Sequence, residues 1–154
     1  MKNKIETVIY GGAFNPPTLA HIKILEACIA YAHANDAGGG VLVQTFELDR
    51  QGAIETIDTV RELEQRYPER TFRFVFGADS TETMANWQDG HMLLETLPML
   101  IVERVGSSIN PKAIKVERLT VQTPPVSSTE VRQRLAAGAP VDHLVPPSVS
   151  ALLV

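Results

Sequence analysis

The chain has 154 residues, 44% of them hydrophobic and 21% charged, with a formal net charge of −4. That length suits one compact domain over residues 1–154, no apolar run is long enough to span a membrane, and an acidic balance without a Lys/Arg run excludes a protein that coats nucleic acid. The only cysteine, Cys28, leaves no internal disulfide and no Cys-rich metal cage. With a start, "MKNKIETVIY", that lacks the apolar core of a signal peptide, this predicts a cytoplasmic protein.

In chain order, "IETVIY" reads as a buried strand that runs into a glycine loop. Leu19, Ile22, Leu25, Ile29 and Ala32 recur at helical spacing over about residues 19–34, with Cys28 as inert packing. "NDAGGG" supplies residue types that a helix exit prefers. "VLVQTFEL" reads as a second strand. Ile57, Val60, Leu63 and Tyr67 mark a helix with Thr56 as cap and Pro68 beyond its end. "FRFVF" is a third strand, followed directly by "GADS". Short helical stretches hold Met84 and Trp87, then Met92 to Leu94. "MLIVE" is a fourth strand and "IKVERLTV" a fifth. "SSTEVRQRLAAG" is a capped helix with a Gly138 stop, and "PPSVSALLV" a short terminal helix. Strands alternating with helices predict an α/β chain: a Rossmann-like, doubly wound, mostly parallel sheet of about five strands with helices on both faces. Ligands in such sheets sit beyond the carboxyl ends of the strands. The glycine loop and "GADS" fall there, and so does "TPPVSST" if its preceding strand runs the same way.

Two stretches ask for more than a core. In "YGGAFNPPTLAH", Gly11 and Gly12 let backbone N–H groups approach a ligand closely, and "NPP" stiffens the turn. The helix that follows favours an anion at its first turn. Thr18 and His21, three apart, project from one side of that turn, where an imidazole can donate hydrogen bonds to phosphate. A capped helix with a half-buried histidine would look the same in sequence. In "VSSTEVRQRL", Ser127, Ser128 or Thr129 can cap the helix, and Glu130 completes a capping box with Ser127. Arg132 opposes the helix dipole, a local disadvantage that an anion bound at the same helix end would offset. A solvated arginine paired with an acid is the plainer alternative. His33, His91 and His143 match no motif and read as surface or satisfied histidines.

"GGAFNPPTLAH" together with "VSSTEVR" resembles the nucleotidyltransferase superfamily that carries Thr/His-x-Gly-His and Ile-Ser-Ser-Thr-x-x-Arg motifs. The stretch "ETIDTVRELEQRYPERTFRFVFGADSTETMANWQ" is similar to bacterial nicotinate-nucleotide adenylyltransferases, with their Tyr-Thr-x-x-Thr-Leu, strand, Gly-Ala-Asp and Trp. The resemblance implies transfer of AMP from ATP to nicotinate mononucleotide with release of pyrophosphate. It implies direct attack on the α-phosphorus and a Mg²⁺ held by phosphate. It implies that Gly11, Gly12, Ala13 and Phe14 lie against ATP, and that Thr18 and His21 contact its phosphates. Ser127, Ser128 and Thr129 would hold those phosphates, and Arg132 would reach the leaving pyrophosphate. Asp79 would bind a ribose hydroxyl, with Thr56 and Trp87 near the nicotinate ring. Neither nucleic acid nor membrane is implied as a partner; oligomerisation is left open.

The chain departs from the family pattern in three places. Ala20 replaces the glycine before the motif histidine, Thr18 stands where the nicotinate enzymes usually have histidine, and Glu55 stands where tyrosine is frequent. Relatives also carry a strand, a basic loop and a helix after the first helix that this chain has no room for. Removal of that segment predicts that residues 41–46 move over to pair with residues 5–10, leaving Lys23 or Arg50 as substitutes for the lost cations. Two other functions follow from these departures: a phosphopantetheine adenylyltransferase-like enzyme, and a nucleotide-binding protein without catalysis.

Overall fold

The computed structural model describes residues 3–35, 40–104 and 106–153. Four strands form one parallel sheet in the order β1 (Ile5–Ile9), β2 (Arg70–Gly77), β3 (Met99–Val102) and β4 (Val116–Leu119). Ile5 pairs with Arg70 and Ile9 with Phe74; Phe74 in turn faces Met99, and Met99 faces Val116. The α/β architecture stands as expected, but with four strands among the described residues where the sequence suggested about five.

The missing strand is "VLVQTFEL". Residues 41–45 have no regular structure and residues 46–49 form a turn. Nothing in this stretch pairs with β1, whose ladder partner is β2, so the expected rearrangement does not occur. The physical reason lies in what holds the segment down. Phe46 packs beside the core under Tyr67 and α2 (Thr56–Arg66), Glu47 accepts from the Thr59 hydroxyl, and Gln44 donates to the Tyr67 hydroxyl over 3.1 Å. Side-chain anchoring to a helix replaces ladder bonding, and Val41, Leu42 and Val43 stay exposed.

Strand pleating sends alternate side chains to opposite faces, and this splits the core in two. Phe72, Phe74, Met99 and Ile101 meet Ile57, Val60 and Leu63 of α2, together with Met84, Leu93 and Leu94, the last two from α4 (Gly90–Thr96). Val75, Leu100, Val102 and Leu119 meet Ile24 and Cys28 of α1 (Leu19–Ala34) on the other face. The buried stripe of α1 is Ala20, Ile24 and Cys28, spaced four apart, and not the Leu19–Ile22–Leu25–Ile29–Ala32 set. The helix is apolar on most sides, so periodicity alone does not select a stripe; small side chains at positions 20 and 28 let it lie close to the sheet. Cys28 is buried, and burial pushes its thiol up to about 11.

Helix ends correct the sequence in detail. Glu55, not Thr56, occupies the cap position of α2. The exit of α1 runs through Asn35 at φ −113°, outside the left-handed region; the rest of "NDAG" lies outside the described residues. α3 (Ala78–Thr83) follows β2 directly, and α5 (Ser128–Ala136) and α6 (Pro147–Ser150) complete the chain. Val131 of α5 packs with Val141, Leu144 and Val145 in a third cluster. Among the described residues no helix is long and apolar enough to cross a membrane.

Because all four strands are parallel, their carboxyl ends open on one edge of the sheet. The glycine loop after β1, "GADS" after β2, Glu103 and Arg104 after β3, and "TPPVSST" beyond β4 therefore share that edge.

Candidate active site

The loop after β1 is exposed from Gly11 to Ala13. Phe14 then turns back with φ 45°, a left-handed conformation that bulky residues rarely adopt. That turn sets its ring edge-on to Tyr10, with centroids 5.3 Å apart, and to His21 at 5.2 Å. A side chain on Gly12 would meet the Phe14 ring at 3.2 Å, so glycine at this position leaves room for the ring. The Asn15–Pro16 peptide bond is cis.

Thr18 caps α1 and is completely buried. Its backbone N–H donates to Nδ1 of His21 over 2.9 Å, and its Oγ1 lies 3.0 Å from the same nitrogen. His21 thus plays the part that Glu or Gln plays three residues into a capping box. Nδ1 can accept that bond only while it carries no proton, so the neutral ring keeps its hydrogen on Nε2. Burial, and then the nearby Arg104 guanidinium, hold the imidazole pKa below its ordinary value, which favours this state. Leu19 donates its N–H to the Leu144 carbonyl over 3.0 Å. Two amides at the start of the helix are therefore occupied within the protein, and Nε2 of His21 is a side-chain donor that the first turn can offer.

The second motif meets the first. Ser128 Oγ donates to the Pro16 carbonyl over 2.9 Å, and Arg132 donates to the Asn15 carbonyl over 2.6 Å, 117 residues away in sequence. Arg132 also reaches Thr129 Oγ1 at 3.3 Å. Ser127 caps α5 by accepting from the Glu130 N–H at 3.2 Å. The capping box is one-sided: the Glu130 carboxylate turns to Arg134, one turn on, at 3.1 Å. A cleft of about 280 Å³ opens where the motifs meet, lined by Ala20, Arg104, residues 123–126, Ser127 and Glu130.

The remaining sequence candidates lie on neighbouring elements. Asp79 is exposed in the first turn of α3, and its carboxylate folds over Gly77, where any side chain would collide with it. Trp87 is half-buried, edge-on to Phe76 at 5.9 Å, and Thr56 opens α2. None of these three lines the cleft. Lys23 and Arg50 are engaged elsewhere, Lys23 with Glu26 at 2.8 Å and Arg50 with Glu62. His33, His91 and His143 are exposed. Arg104 was outside every motif; its position at a strand's carboxyl end was the one sequence signal for it.

No family model matches the chain. Among curated proteins it is 37% identical to the nicotinate-nucleotide adenylyltransferase of Exiguobacterium sibiricum over 112 residues, covering 72% of this chain and 59% of that protein. The chain belongs to the nicotinate-nucleotide adenylyltransferase family. A second member, from Shouchella clausii, is 30% identical and covers 94% of this chain and 92% of its own. The fold matches that of Plasmodium falciparum nicotinic acid mononucleotide adenylyltransferase at 19% identity, with TM-scores of 0.77 in its complex with APC and 0.72 in its complex with NaAD. The first of these structures covers 95% of this chain and 92% of its own.

Within the nicotinate-nucleotide adenylyltransferase family this chain is short. Its alignment with the Shouchella protein runs to 179 positions, more than its own 154 residues, so that relative carries residues this chain lacks.

Proposed function

We propose that this chain transfers the adenylyl group of ATP to nicotinate mononucleotide, giving deamido-NAD and pyrophosphate in the cytoplasm, and that residues 1–154 act as one domain. The observation that carries this reading is the joining of the two motifs at one edge of the sheet, Ser128 to Pro16 and Arg132 to Asn15, in a chain whose relatives bear that enzyme's name.

The mononucleotide phosphate attacks the α-phosphorus in line. A new P–O bond forms, the bond to the β-phosphate's bridging oxygen breaks, and pyrophosphate leaves with that electron pair. The chain's work is positioning and charge stabilisation. His21 Nε2–H donates to a phosphate oxygen, with Thr18 acting through it as a positioning residue. Backbone N–H groups from Gly11 to Phe14 lie against the α-phosphate. Ser127, Ser128 and Thr129 hold the outer phosphates, and Arg132 balances charge on the leaving pyrophosphate. Asp79 accepts from a ribose hydroxyl; Thr56 and Trp87 border the nicotinate ring. Mg²⁺ fits as an ion held by phosphate oxygens, because the side-chain oxygens lining the cleft are the Thr123 and Ser127 hydroxyls and one carboxylate already paired with Arg134. When bound it supplies further neutralisation of phosphate charge.

The test is pyrophosphate release when ATP and Mg²⁺ are mixed with nicotinate mononucleotide, its amide counterpart, or phosphopantetheine. Release with the first supports the proposal. Release only with phosphopantetheine redirects it to another adenylyltransferase. ATP binding with no release from any acceptor points to a nucleotide-binding protein, a reading favoured by the engagement of Lys23 and Arg50 away from the cleft.

A further inference from the structure

We infer that the Arg104 guanidinium binds phosphate oxygens of a nucleoside triphosphate in the cleft between α1 and α5, as a second cation beside Arg132. This rests on the adenylyltransferase reading and extends it to a residue outside both motifs.

Three observations converge. Arg104 follows the carboxyl end of β3 and lines the cleft together with Ser127. It has no carboxylate within 4 Å among the described residues; Glu103, next to it in sequence, pairs with Arg118, and Glu130 of the same cleft pairs with Arg134. Its charge is felt at His21, where it adds to the lowering by burial, and at Tyr10, where it opposes a larger upward push from burial, so it lies near the first motif as well as the second. A cation with no carboxylate partner among the described residues, in a cleft near an imidazole that can donate a hydrogen bond to phosphate and a serine-rich helix start, is arranged for an anion spanning both. The Glu130 carboxylate on the same wall is neutralised by Arg134 and leaves the cleft's balance positive. Ala20 adds a methyl group to the cleft wall at α1, and Thr18 and Leu19 have already committed their amides.

The experiment compares wild type with Arg104→Ala, Arg104→Gln and Arg104→Lys by calorimetry against ATP, inorganic tripolyphosphate and adenosine, with pyrophosphate release followed in parallel. Loss of a charge-assisted hydrogen bond predicts that the Ala and Gln variants bind ATP and tripolyphosphate about 10-fold or more weaker. Adenosine affinity and melting temperature should stay unchanged, and Lys should recover part of the loss. Wild type that binds ATP, with Arg104→Ala and Arg104→Gln binding it equally well, overturns the assignment and leaves the functional reading intact. Wild type that binds neither ATP nor tripolyphosphate overturns both.

Discussion

The backbone N–H of Thr18 donates to Nδ1 of His21 over 2.9 Å, which gives one side chain two tasks. The nitrogen facing the helix caps it; the other nitrogen is left for a ligand. The sequence left a phosphate contact and a place in the helix cap both open for His21, and the cap contact gives it a part in the fold. His21→Ala should cost about 0.5–2 kcal/mol of stability as a lost cap and lower turnover by roughly 10²–10³-fold. His21→Gln separates the two, since Gln can restore the capping box without the Nε2 donor. Thermal melts should show Gln near wild type while turnover stays low; equal turnover in wild type and His21→Gln would exclude His21 from the chemistry.

His21 also predicts a pH response. Its pKa is held below the ordinary 6.5, by burial first and by Arg104 second. The native state then binds fewer protons than the unfolded chain, so stability rises with pH in that window. The contribution of His21 is complete above pH 6.5 and is lost as pH falls through the native value, where a proton on Nδ1 breaks the Thr18 bond. Denaturant melts of wild type and His21→Gln should coincide above pH 6.5 and separate on acidification, with wild type the one that loses stability. Melts that stay coincident as pH falls through the native value would contradict this sign.

The contacts that join the motifs should matter unequally. Ser128→Ala removes one hydrogen bond to the Pro16 carbonyl and should cost about 0.5–1.5 kcal/mol. Arg132→Ala removes the Asn15 contact and a cation from the reacting phosphates, and should lower kcat/KM by about 10- to 100-fold. Urea titrations and initial rates measure the two; an Arg132→Ala enzyme as active as wild type would detach Arg132 from catalysis.

The acid mononucleotide should be the better substrate. A ring carboxylate can accept charge-assisted hydrogen bonds, which are about twice as strong as neutral ones, from donors near Thr56 and Trp87. Initial rates should give a higher kcat/KM with nicotinate mononucleotide than with its amide. Equal values would remove this basis for selectivity.

Gly90, at the start of α4, is the most sterically constrained of the described glycines: any Cβ there would run into the backbone carbonyl of Met84. Gly90→Ala should destabilise by about 1–3 kcal/mol through overpacking, visible as a lowered melting temperature. An unchanged melt would mean that the turn between Met84 and Gly90 gives way at no cost.

The sequence by itself determined the alternation of strands and helices, a helix start among Ser127, Ser128 and Thr129, and the loops that belong at strand ends. Each rests on local chemistry: glycine, proline and hydroxyl side chains at turns and caps, and apolar periodicity in Phe72, Phe74 and Phe76 or in Ile57, Val60 and Leu63. Tertiary structure decided what depends on a partner. "VLVQTFEL" has strand-forming residues and the outer edge of β1 carries no strand among the described residues, yet side-chain anchors to α2 and Tyr67 won instead. α1 carries apolar residues on several sides, so contact with the sheet chose Ala20, Ile24 and Cys28. Glu130 had two partners within reach, Ser127 and Arg134, and its carboxylate took the one that a salt bridge favours. Arg104 belongs to no motif. It reaches the cleft because four parallel strands bring their carboxyl ends to one edge, and that register is set only when the whole sheet assembles.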